Sequence, residues 1–126
     1  MAVVLQEIVD SDFEYFVKIT TTGTNSGSSV YDASAAAGAA TDPRTTITGI
    51  AWSVSSQTDI LWDATSNVVA CSLSGSGKVG FGDGVPSIPN NGGSGVTGDV
   101  LLSNSSASVG TIILHCRKTD GYDNLE

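Results

Sequence analysis

Between positions 13 and 20 the chain alternates strictly: Phe13, Tyr15, Val17 and Ile19 are separated by Glu14, Phe16, Lys18 and Thr20. A period of two places one set on one face of an extended chain, so the pattern predicts a half-buried β-strand over Phe13–Thr21. The signature returns near the other end, where Ile112, Leu114 and Cys116 oppose Ile113, His115 and Arg117 in a predicted strand Val109–Lys118. Between them lie shorter candidates. Thr46–Val54 has Ile47, Ile50, Trp52 and Val54 competing for the core face, with a bulge expected at Gly49. Thr58–Asp63 and Asn67–Leu73 predict a hairpin turning at Ala64-Thr65-Ser66, with Ile60 and Trp62 on one face and Val69, Cys71 and Leu73 on the other. Val30–Tyr31, Gly77–Phe81 and Asp99–Ser103 complete the series. Thr20–Ser29 and Asp42-Pro43 read as turns, and Asp32–Ala40 is the one segment with room for a helical turn or two.

Roughly seven to nine short strands without crossover helices argue an all-β fold, an antiparallel β-sandwich of jelly-roll-like form with long Gly/Pro/Asn-rich loops. At 126 residues the chain has material for one core. The domain is expected over 13–118, with 1–12 an N-terminal arm or edge strand and 119–126 a polar C-terminal tail. Ala2-Val3-Val4-Leu5 is apolar without clean alternation and is set off by Asp10-Ser11-Asp12. Val3, Val4 and Leu5 are therefore candidate partner-binding residues, suited to strand addition on a neighbour. Gly82–Gly98 has no room for a helix and is long for a structureless loop. It is expected to be a contact element, with Pro86, Ile88, Pro89, Asn90 and Asn91 as candidate partner-binding residues.

Charge narrows the partners. Five Lys and Arg against thirteen Asp and Glu give a net charge of −8, a field that repels phosphate and anionic lipid, so neither nucleic acid nor membrane is expected as a partner. The doublet Arg117-Lys118 is too small to reverse this and is expected to meet an acidic protein surface. Met1–Ile8 lacks the basic start of a secretory signal, and no apolar run reaches membrane-spanning length; synthesis as a soluble cytoplasmic protein is expected. Cys71 and Cys116 lack metal or redox spacing, which predicts reduced, buried thiols.

The motifs of catalysis and cofactor binding fail on context. Gly75-Ser76-Gly77-Lys78-Val79-Gly80 has dinucleotide spacing, but Phe81–Pro89 cannot form the helix that would hold a pyrophosphate, so the glycines are assigned to a turn. His115, the one histidine, lies mid-strand without a nucleophile elbow, and Cys71 sits on an apolar face where its pKa should rise. Asp59 and Asp63 flank Trp62 and are read as solvated rather than as a glycosidase pair. Asp120–Asn124 lacks the twelve-residue calcium pattern. No catalytic residue, metal or cofactor is expected. Trp52 is assigned to the core, Trp62 to the core less firmly.

Taken together, Phe13-x-Tyr15-x-Val17-x-Ile19, Asp32-Ala33-Ser34-Ala35, Trp52-Ser53-Val54, Ile60-Leu61-Trp62-Asp63-Ala64, Gly75-Ser76-Gly77, Ile88-Pro89-Asn90-Asn91, Thr97-Gly98-Asp99-Val100-Leu101-Leu102 and Gly110-Thr111-Ile112-Ile113-Leu114 resemble small virion structural proteins of tailed bacteriophages over about positions 13–118. The resemblance implies a non-enzymatic capsid decoration or cement protein on the capsid exterior. Its partners would be the major capsid protein, other virion proteins or further copies in a homo-oligomer. Similar β modules in tail and head-fibre components keep a host-glycan-binding role open as the alternative.

Overall fold

The structure, a computed structural model, describes residues 2–11, 13–33, 38–80, 87–104 and 107–122. They form eight strands: β1 (Ala2–Asp10), β2 (Glu14–Thr22), β3 (Asn25–Tyr31), β4 (Ala39–Trp62), β5 (Val68–Gly80), β6 (Ile88–Pro89), β7 (Val100–Asn104) and β8 (Gly110–Tyr122). Every pairing is antiparallel. The sequence suggested two sheets facing each other, but hydrogen bonding joins all eight strands in one curled sheet. Its order is β1-β2-β8-β4-β7-β3, with β5 and β6 branching from β4. β1 and β3 approach each other as the sheet curls, but among the described residues no ladder joins them.

β4 causes this single-sheet arrangement. At 24 residues it far exceeds an ordinary strand and has to bend to stay within a small domain. Its first part pairs with β8 from Arg44 to Val54, and its last part pairs with β7 from Asp59 to Trp62. The change of partner falls at a bulge between Val54 and Thr58, where Ser55, Ser56 and Gln57 stand against Ser74 alone and sharpen the bend. Serine and threonine take over the hydrogen bonding there. Ser55 N donates to Val109 O at 3.0 Å, Ser56 Oγ donates to Ala107 O at 2.8 Å, and Ser108 Oγ donates to Ser56 O at 3.1 Å. Thr58 and Ser108 are both fully buried and meet through their hydroxyls. The expected turn at Asp42-Pro43 is therefore corrected. The chain runs through it as strand, and Pro43, which has no N–H to give, sits where the β4–β8 register shifts between Ala39 and Arg44.

Three further expectations change. Asn25–Tyr31 is a strand, leaving only Gly23, at φ 74°, and Thr24 between β2 and β3. Asn104 fastens that corner: its Oδ1 accepts from Asn25 N at 3.1 Å and its Nδ2 donates to Gly23 O at 2.6 Å. The helical turns expected at Asp32–Ala40 lie partly outside the described residues, but Ala39 already belongs to β4. The glycines of 75–80 lie within β5 rather than in a turn. Gly77 is needed because a Cβ there would stand 2.8 Å from the Trp52 ring, and Gly80 has φ 87° beside the Thr48 carbonyl.

The core fills the concave face. Val17 and Ile19 of β2, Ile60 and Trp62 of β4, Leu102 of β7, and Ile112, Leu114 and Cys116 of β8 are all fully buried, as the alternation of β2 and β8 requires. Sequence alone assigns both tryptophans to the core; Trp62 lies in it, whereas Trp52, the firmer assignment, is only partly buried. Trp62 is 0% exposed because its strand is flanked on both sides, by Val68 of β5 and Val100 of β7. Trp52 packs against the core only in part. Its β5 neighbour is Gly77, which has no side chain to cover it, and its indole N–H donates to Ser74 O at 3.0 Å. In the hairpin, a register shift opposite Ile60 and Leu61 breaks the alternation. Val69 is left exposed while Leu73 stays buried.

Candidate functional site

Among the described residues, most of the large hydrophobic side chains left in solvent lie on or beside one edge strand, β1. β1 ends the sheet path and pairs with β2 alone, from Ala2↔Thr22 to Asp10↔Tyr15. Of the two readings of the N-terminal segment, arm or edge strand, the structure therefore has the edge strand. Among the described residues, Val4 (61% exposed), Leu5, Ile8, Val9 and Phe13 (52%) supply five of the eight large hydrophobic side chains left in solvent. Val3, the third predicted contact residue here, packs instead against the core. Ile8, Val9 and Phe13 extend the patch beyond what the sequence singled out, although the apolar run through Val9 was a readable signal.

A buried ion pair fixes the far end of this strand. Lys118 Nζ, with its side chain 0% exposed, contacts Asp10 Oδ1 at 2.5 Å and donates to Ser11 O at 2.6 Å. The backbone follows suit, with Lys118 N donating to Phe13 O at 2.7 Å. The basic doublet expected to meet an acidic partner is thus half consumed inside the fold. Lys118 has the parity of Ile112, Leu114 and Cys116 and points inward with them.

The second predicted contact element lies elsewhere, with β2, β8 and β4 between it and β1. Pro86 lies outside the described residues. Ile88 pairs with Ile47 and packs on the core, and Pro89 pairs with Thr46, so the segment is partly ordered by the chain itself. Asn90 Oδ1 accepts from Gly92 N at 2.8 Å. Arg44 reaches across to donate to Val96 O at 3.1 Å. Pro89 and Asn91 remain exposed, beside a depression of about 270 Å³ among Arg44, Thr46, Pro89, Asn90 and Val96.

The groups weighed for chemistry are dispersed. His115 stacks on Phe16 at 3.8 Å between ring centroids and lies opposite Gly49 of β4, whereas Cys71 lies opposite Ile60 near that strand's other end. Burial raises the pKa of Cys71 to about 11, helped by Asp59, and that of Cys116 to about 12. Both thiols are thereby kept protonated and poorly nucleophilic. Asp63 accepts from Thr97 Oγ1 at 2.7 Å and Asp59 from Gln57 at 3.1 Å. Asp99, which accepts from Ala33 N at 2.9 Å, has its pKa raised chiefly by burial, with Asp32 and Asp63 adding. Among the described residues, no three His, Cys, Asp or Glu side chains converge as metal ligands.

His115 yields a pH prediction. Burial lowers its pKa, against an opposing pull from Glu14 at 3.7 Å. Unfolding therefore takes up a proton just below the ordinary histidine range, so stability falls as pH drops through that range. His115→Gln should lose this part of the slope: its denaturation midpoint should decline less than wild type between pH 7.5 and 5.5. Equal declines would contradict the assignment.

Searches of family models, curated proteins and solved structures found no match to this chain.

Proposed function

We propose that the chain is a non-enzymatic virion structural protein, a capsid decoration or cement subunit that binds the outside of an assembled capsid lattice through the major capsid protein. The observation that carries this reading is the apolar β1 edge, where Val4, Leu5, Ile8, Val9 and Phe13 present a surface fit for protein contact. The resemblance of residues 13–118 to small phage virion proteins supplies the setting, and the curled antiparallel sheet is read as a jelly-roll-like module. Weak patches suffice on a repeating lattice, because neighbouring subunits offer further sites at high effective concentration. With a net charge of −8, the outward face would discourage clumping of decorated particles. The test is co-sedimentation of the purified chain with undecorated capsids. Saturable binding at a fixed ratio to the major capsid protein is expected, and no binding at saturating concentration would contradict the reading.

One observation favours the second reading, a tail or head-fibre module for a host glycan. Trp52 lines a shallow depression with Ala51, Ser53, Gly77, Thr111 and Ile113, and an accessible indole face can stack on a sugar ring. Glycan-array signal lost in Trp52→Ala, without capsid binding, would establish it.

A further inference from the structure

The outer edge of β1 combines three features. Its main chain is hydrogen-bonded to no strand beyond it among the described residues, although β3 approaches it. Its side chains at Val4, Leu5, Ile8 and Val9 are apolar and exposed. It also lacks the usual defences of an edge: Ala2–Asp10 holds no lysine and no proline, and one register irregularity between Glu7 and Val9 is all that interrupts it. The same strand is held firmly in place from within. Val3 packs on the core, and the Asp10–Lys118 pair clamps the other end. A strand so anchored is built to receive rather than to be donated.

We propose that β1 accepts an extended segment of a protein partner as an added strand. The incoming strand would carry apolar residues at alternate positions and Lys or Arg between them, on the face of Glu7. Main-chain hydrogen bonds to β1 would provide affinity, and alternate apolar side chains would cover Val4 and Val9, which share one face with Thr20 and Phe16 of β2. Charge selects the partner: Glu7 is exposed on this strand in a chain of net charge −8. A second copy would therefore bring like charges together, whereas a basic segment neutralises them. This rests on the reading of the chain as an adhesion module, but it fixes the contact edge and the chemistry of the partner strand rather than the partner's identity.

The test uses the full chain at physiological salt with a synthetic heptapeptide alternating valine and lysine. A heptapeptide alternating serine and lysine serves as a control of equal charge. Amide hydrogen exchange should slow at alternate positions of β1, by about tenfold or more at saturation, with the valine peptide alone. Val4→Ser with Val9→Ser, both exposed positions on one face that leave the charge unchanged, should keep the wild-type melting temperature and lose the protection. Equal protection by both peptides, or retained protection in the double variant, would overturn the proposal. So would protection of β1 that appears without peptide as the chain dimerises with concentration, since the occupant would then be a second copy. The double variant's binding to undecorated capsids separates the two readings: if it binds as wild type, the edge is not the contact but the virion role stands.

Discussion

Replacing Trp62 with alanine is expected to lower unfolding free energy by about 3–5 kcal/mol, the range for removing a large ring from a packed core. Trp62 is fully buried between the neighbouring strands β5 and β7, so little of the void can be filled by relaxation or by water. Trp52→Ala should cost about 1–2 kcal/mol, in the range of an ordinary partly buried change. The indole N–H of Trp62 has no hydrogen-bond partner among the described residues, so Trp62→Phe should be much milder than Trp62→Ala: it leaves a smaller cavity and removes an unsatisfied donor. Urea denaturation of the three variants checks the ordering. A Trp52→Ala loss equal to or larger than that of Trp62→Ala would contradict the placement of the core.

The second large effect is expected at Asp10. Asp10→Asn leaves Lys118 as a buried cation without its carboxylate, and breaking one side of a buried pair costs about 3–5 kcal/mol. The loss follows from desolvation: the ammonium is 0% exposed, and a neutral acceptor such as Ser11 O cannot replace the countercharge. Asp10→Leu combined with Lys118→Met should be clearly more stable than Asp10→Asn, because neither charge then has to be taken from water. The double-mutant cycle measures this coupling. Additive losses would show that the pair does not act as a unit.

These two positions also show what the sequence made legible. Alternation located β2 and β8 and their inward residues, because strands packed on a core along one face keep a strict period of two. The same parity placed Lys118 inward with Ile112, Leu114 and Cys116, but its charge and its neighbour Arg117 argued for solvent. Asp10, more than a hundred residues away, supplies a countercharge for it, and a long-range pairing leaves no local mark. β4 was read as two strands for a similar reason. Pro43, Gly49 and Ser55-Ser56-Gln57 have the composition of breaks, yet in three dimensions they lie at bends where other segments supply the missing hydrogen bonds. Trp52 and Trp62 could not be ranked from spacing, since what separates them is whether a neighbouring strand carries a side chain to cover the ring.

For the contact surface, the apolar character of Val3–Leu5 was visible, but its meaning depended on pairing. A segment detached from the domain would be donated to a neighbour. The same residues bound to β2 and clamped by Lys118 present an edge instead. Ile88–Asn91 was found as a loop element, and β6 adds that the chain orders part of it unaided.

The most direct test of the account is a density map of the intact virion combined with the copy number of this chain per particle. The account predicts density for the curled sheet at every equivalent site on the capsid exterior, with the β1 edge against a major capsid subunit and a copy number set by the lattice. A few copies confined to the tail or fibres, or a particle without the chain, would contradict it.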